Sequence, residues 1–185
     1  MKLYPPEPGM KVLEVGCGTG TNLMLYHQAG CSVYGIDLSP SMLGVARDKL
    51  REGADLQLGD ASKMPYQGNF FDLVIAMFAL HEMPGEMRHL VMREMIRVTK
   101  QEGMILIIDF HPGPIRFPKG WIYKAIILFF ERVAGGEHFA NYRDFLSHKG
   151  LPGLIENQKL AVDREKIVSA GNIAFFLIKP TQNLG

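Results

Sequence analysis

Short apolar runs alternate with segments of helical periodicity through the first part of the chain. Residues 11–16 read as a buried strand, and residues 19–29 as a helix with Leu23, Leu25 and Tyr26 on or near one face, stopped by Gly30. Residues 32–37 form the next strand; Ser39 then supplies an N-cap and Pro40 the first position of a helix through about Arg51. A short third strand, 55–60, leads to a loop containing Pro65 and Gly68. Residues 70–77 are a fourth, nearly continuous apolar run, of the kind strands show when helices cover both faces of a parallel sheet. A helix over 84–100 places Met87, Leu90, Val91, Met95 and Val98 at helical spacing and ends near Gly103, and 104–110 is the fifth strand.

This alternation predicts right-handed crossovers and a doubly wound, Rossmann-like α/β sheet, mostly parallel, with ligands beyond the carboxyl ends of the strands. The last third changes character. Residues 121–133 read most simply as a core helix, and otherwise as a lid contacting a lipophilic substrate or a membrane surface, since flanking Lys119, Lys124 and Arg132 suit either. A second helix covers 138–149, and final strands near 154–162 and 173–179 close the sheet with an antiparallel edge. At 185 residues without an internal repeat, one domain is expected over 1–185: a cofactor-binding core at 10–110, a helical lid or substrate segment at 112–149, and closing strands at 150–185.

Composition narrows the picture only slightly. Hydrophobic residues at 47%, charged residues at 21% and a net charge of +1 describe an enzyme-sized globular domain and argue against a dedicated nucleic-acid binder. Cys17 and Cys31 are too few for a disulfide framework and lack the paired spacing of a zinc site, so no metal site is expected. Residues 1–6 reach prolines at once, without the apolar core of a signal peptide, and the longest apolar run, 125–130, falls far short of a bilayer span. A cytoplasmic location is the resulting expectation.

The chemistry gathers where the first strand ends, in Glu14-Val15-Gly16-Cys17-Gly18-Thr19-Gly20. Three glycines spaced two apart suggest a turn wrapped around a ligand. A dinucleotide fingerprint places its third glycine three residues after the second; here that position is Thr21, which argues for a different cofactor at the same place. Glu14 agrees, since a carboxylate is unfavourable beside a pyrophosphate and favourable beside an amino or sulfonium cation. Asp37 ends the second strand where a carboxylate can accept ribose hydroxyls, and Asp60 ends the third, placed to accept from an adenine amino group. Plainer counterparts stand beside these readings: an unliganded tight turn for the glycines, a cap on Ser39 for Asp37, a turn start for Asp60.

VLEVGCGTG, GIDLSPSML, LGDASKMPY, FFDLVIAMFALHEM and EMIRVTKQEGMILIIDF resemble, in order and spacing, the motifs of class I S-adenosylmethionine-dependent methyltransferases. Residues 80–84 and the final FFLIKP run are similar to the group that includes ubiquinone and menaquinone biosynthesis C-methyltransferases. The resemblance implies about seven strands with the last antiparallel, Gly16 and Gly18 against the methionine moiety, Asp37 on the ribose, and Asp60 with Ala61 at the adenine. The full cofactor-binding set it implies is Glu14, Gly16, Cys17, Gly18, Gly20, Asp37, Leu38, Met42, Asp60, Ala61 and Met77, with S-adenosylhomocysteine as product. Relatives usually carry N-terminal helices over the site; here about ten residues precede the first strand, so a lid is expected from 112–149 or the site is open.

Methyl transfer from a sulfonium disperses charge, so alignment is the main requirement and a general base is optional. His81 is the first candidate base, as against a positioning or packing residue; Asp109 and His111, beyond the fifth strand, come next. The acceptor is expected to be a small, apolar molecule such as a quinone precursor or a lipid-like compound. Alternatives are a cofactor-binding partner protein without activity and a nicotinamide dehydrogenase. The oligomeric state and the methylated atom are not legible.

Overall fold

The structure, a computed structural model, describes residues 4–180; residues 1–3 of the proline-rich lead and 181–185 of the closing segment lie outside the described residues. Seven strands form one sheet: β1 (Lys11–Val15), β2 (Ser32–Asp37), β3 (Ala54–Leu58), β4 (Phe71–Met77), β5 (Thr99–Phe110), β6 (Ala161–Val168) and β7 (Ile173–Lys179). The order is β3-β2-β1-β4-β5-β7-β6. The first five run parallel, and β7 lies antiparallel between β5 and β6. Strand order reverses between β1 and β4, and in open α/β sheets that switch point opens a crevice beyond the strand ends.

The helices are α1 (Thr21–Gln28), α2 (Pro40–Leu50), α3 (Gly85–Val98), α4 (Lys119–Ala134), α5 (Gly136–Ser147) and α6 (Gly150–Asn157). Ser39 caps α2 as its residue type predicts, its hydroxyl accepting from the Met42 N–H at 3.3 Å. The central strands are apolar on both sides because both sides are covered. Leu13, Val74 and Ile105 face a cluster with α3, α5 and α6, whereas Val12, Leu73 and Leu106 face one with α1 and α2.

Four expectations are corrected. The helix predicted over 84–100 ends at Val98, and Gly103 lies inside β5, which starts at Thr99. The buried stripe of that helix is Arg88, Val91, Met92, Met95 and Val98, while Leu90 is exposed. The face turned because the Arg88 guanidinium is drawn inward, donating to the carbonyls of Leu80 and Asn141 at 3.0 and 2.8 Å and to Asp144 at 2.7 Å. Residues 154–157, predicted as strand, belong to α6, where Leu151, Leu154 and Ile155 bury a helical stripe. The sixth strand begins only at Ala161 and, as a charged edge strand, is exposed along nearly its whole length.

The fourth correction concerns 121–133. It is helical but not core: Gly120 is the only fully buried residue of α4. Trp121, Ile122, Phe129, Phe130 and Val133 are all more than half exposed. The inward stripe is Gly120, Lys124, Ile127 and Glu131, at the four-three-four spacing of a helix face. The polarity of α4 is therefore inverted, with charges toward the protein and aromatics outward. Among the described residues no helix is long and apolar enough to cross a membrane.

Candidate active site

The glycine loop closes between β1 and α1. Gly16 takes φ 66°, and a Cβ there would lie 2.8 Å from the Ala79 Cβ, so the backbone passes the end of β4 at a distance only glycine permits. Gly20 serves a different end: it caps α1 at φ 68° and packs against Ala46 and Leu50 of α2. The Gly18 N–H donates to Asp37 Oδ2 at 2.7 Å, and the Ser39 N–H donates to Oδ1 at 2.8 Å. Asp37 thus holds the loop and caps Ser39, and each oxygen keeps a further lone pair for a ligand hydroxyl.

Beyond the ends of these strands lies a cleft of about 230 Å³ lined by Gly16, Asp37, Leu38, Asp60, Ala61 and Glu82, among others. Leu38 is 71% exposed, an apolar side chain left uncovered at the cleft wall. Asp60 also begins a turn, its Oδ1 accepting from the Ser62 N–H at 2.8 Å. Of the predicted set, Gly16, Asp37, Leu38, Asp60 and Ala61 line this cleft. Cys17 packs inward beneath it, and burial first, then the charges of Asp37 and Glu14, push its thiol up to about 12. Met42 sits exposed on the first turn of α2.

Glu14 and Met77 belong to a neighbouring region. Glu14 is 2% exposed; Asn22 donates to its Oε1 at 2.7 Å, and Oε2 has no partner among the described residues. Burial raises its pKa to about 7, against the hydrogen bond from Asn22. Met77 and Asn22 line a second cavity of about 390 Å³. Met77 and Ala79 therefore border different spaces, and between them Phe78 takes φ 52°, a strained conformation for a bulky residue that is concentrated at ligand sites.

The structure joins two of the three candidate bases and separates the third. His81 Nδ1 lies 2.8 Å from Asp109 Oδ1, both residues buried. Asp109 also accepts from the N–H groups of Leu80, His81 and Phe110. It is an acceptor in every contact, so His81 Nδ1 carries a proton. Burial favours neutral imidazole, but the Asp109 hydrogen bond and the charges of Asp109, Glu131 and Glu82 outweigh it and hold the His81 pKa above its ordinary value. His81 Nε2 faces Glu131 Oε1 at 3.5 Å rather than the cleft, which makes His81 a positioning residue on this geometry. His111 stands apart: its Nδ1 accepts from the Gly113 N–H, and it lines a different cavity with Pro114 and Arg116.

Sequence reasoning gave Glu82 no role beyond its place in the 80–84 segment, and it missed Glu131 and His138. Glu82 lies beside the cleft, His138 Nε2 is 3.4 Å from Glu82 Oε1, and His138 Nδ1 is 3.7 Å from Glu131 Oε2. One signal existed, the charge of Glu131 within an apolar helix. His138 comes from the next helix and had none.

Comparison with known proteins bears on what this arrangement does. A family profile described as a methyltransferase domain matches residues 13–107. A demethylmenaquinone methyltransferase of Renibacterium salmoninarum is 39% identical over 112 residues, 59% of this chain and 46% of that protein. One of Listeria welshimeri is 33% identical over 167 residues, 83% of this chain and 69% of that protein. The crystal structure of a SAM dependent methyltransferase from Aquifex aeolicus superposes with a TM-score of 0.66 at 20% identity, covering 96% of this chain and 86% of that one, a likeness of fold.

Proposed function

Since the chain belongs to the class I S-adenosylmethionine-dependent methyltransferases, we propose that it methylates a small, apolar acceptor of the quinone-precursor type. The observation that carries the reading is the cleft at the switch point of the sheet, in which Gly16, Asp37, Leu38, Asp60 and Ala61 converge.

The residues present fit the cofactor. The unpartnered, buried Oε2 of Glu14 suits an ammonium group, the spare lone pairs of Asp37 suit two ribose hydroxyls, and Leu38 with Ala61 offers an apolar wall for a purine. When bound, S-adenosylmethionine supplies an electrophilic methyl group on a sulfonium. The chain contributes orientation, through the rigid Asp37-anchored loop, and a partly apolar enclosure that limits water. His81, held by Asp109, positions the 80–82 turn from which Glu82 reaches the cleft wall.

The names of the relatives support a quinone-like acceptor. So does α4, whose outward aromatics, flanked by exposed Arg116, Lys119 and Arg132, suit peripheral contact with an anionic lipid surface from which such an acceptor is drawn. The test is incubation with labelled cofactor and demethylated quinones, followed by mass spectrometry. Addition of one methyl group to a quinone is the expected result. No transfer to any acceptor, with S-adenosylmethionine still raising the melting temperature, would overturn the enzymatic reading in favour of a binding protein.

A further inference from the structure

Four side chains from three separate elements meet beside the cleft: His81 and Glu82 from the turn after β4, Glu131 from α4 and His138 from α5. One donor atom from each of His81, Glu82 and His138 lies within 4.8 Å of the others. We propose that these three residues bind a divalent metal ion of the zinc class.

Three observations lead there. First, both histidines turn the same nitrogen toward the carboxylates of the group. His81 Nδ1 is held by Asp109 at 2.8 Å, and its Nε2 faces Glu131, while His138 turns its Nε2 to Glu82 and leaves its Nδ1 3.7 Å from Glu131, beyond hydrogen-bond reach. A carboxylate hydrogen-bonded behind the imidazole, as Asp109 is behind His81, is the usual support for metal-ligating histidine, because it fixes the tautomer and raises the basicity of the other nitrogen.

Second, the spacing is close to that of ligands rather than of hydrogen bonds. Bonds of about 2.0–2.2 Å to zinc put tetrahedral neighbours about 3.4 Å apart. The His138 Nε2 to Glu82 Oε1 separation is 3.4 Å, and the donor atoms of all three ligands lie within 4.8 Å of one another.

Third, the group is incompletely hydrogen-bonded as it stands. Glu131 Oε2 and His138 Nδ1 are buried without a hydrogen-bond partner among the described residues. Burying such groups is costly unless a cation or proton balances them. The inward turn of Glu131, on a helix whose other face is aromatic, then has a purpose.

Two histidines and a carboxylate suit a borderline cation such as Zn²⁺ and leave a coordination position open. Because Glu82 also lines the cleft, the ion stands at its margin, while the same ligands fasten α5 to the core. The inference does not depend on methyl transfer.

The test uses the full chain without a polyhistidine tag, stripped with a chelator, equilibrated with Zn²⁺ and desalted. About one ion per chain by plasma mass spectrometry, with a raised melting temperature, is expected. Combined Glu82→Gln and His138→Ala substitution should abolish retention, and Glu131→Gln should weaken it roughly 10–100-fold. Glu82 and His138 are 47% and 32% exposed at their side chains, so these variants should fold, which circular dichroism checks. Retention far below one ion per chain, or unchanged retention in the double variant, would overturn the site and assign the cluster to a proton shared among its carboxylates and imidazoles.

Discussion

At the scale of single residues, Asp37 has two duties that substitution should separate. Its oxygens hold the Gly18 and Ser39 N–H groups, and their remaining lone pairs face the cleft. Asp37→Ala should weaken S-adenosylmethionine binding by about 1–3 kcal/mol, measured by calorimetry, through loss of charge-assisted hydrogen bonds. Asp37→Asn, which keeps one acceptor, should lose less; equal losses would place the aspartate in loop structure alone. Glu14 makes a pH prediction. Its pKa is raised by burial from 4.5 in the unfolded chain to about 7 in the ligand-free fold. Its contribution to stability is therefore complete below pH 4.5 and is lost as pH rises through 7. Urea unfolding at pH 5 and pH 8 should show the wild type losing more stability than Glu14→Gln across that interval. Cofactor affinity should move the other way, since a bound cation favours the ionised carboxylate, and Glu14→Gln should flatten that dependence too.

At the scale of elements, the sequence was most legible where periodicity and capping agreed. β2 matches its predicted bounds, and α2 starts at Pro40 behind the Ser39 cap, because both signals act within a few residues. It failed where a distant partner chose the face. Leu90 has the right spacing for a buried position, yet Arg88 is inside because three acceptors from the 80–82 turn and α5 wait there. Arg88 is accordingly the fastening between α3 and α5. Arg88→Ala should destabilise the fold by roughly 2–4 kcal/mol in denaturant unfolding, from three lost charge-assisted hydrogen bonds, with a discount because Asp144 is 43% exposed. β6 was misplaced for a related reason: its charges show no alternation, and it is a strand because β7 offers an edge.

At the scale of the whole molecule, the distribution of polarity is the informative feature. The chain carries a net charge of only +1, while Trp121, Phe129, Phe130 and Val133 form a concentrated apolar surface on α4. Exposed patches of this kind mark contact surfaces. Vesicles containing anionic lipid should co-sediment the protein more than neutral ones. Replacing Trp121, Phe129 and Phe130 by serine should abolish co-sedimentation without lowering S-adenosylmethionine affinity, since none of the three lines the cleft at Gly16 and Asp37. Equal sedimentation of the variant would remove α4 as the contact.

The sequence by itself determined the five parallel strands, the glycine turn and the carboxylates at the ends of β2 and β3. These rest on local propensities and on positions that the strand-turn-helix unit places automatically at the crevice. Only the tertiary structure decided the orientation of α4, the burial of Arg88 and the meeting of His81, Glu82, Glu131 and His138. A helix with apolar and charged residues can turn either face inward, and the choice belongs to what lies opposite. Here the opposing groups are Tyr142, whose hydroxyl accepts from Lys124 at 2.8 Å, and the imidazoles facing Glu131. Those partners are distant in sequence, so no pattern within the helix could have named them.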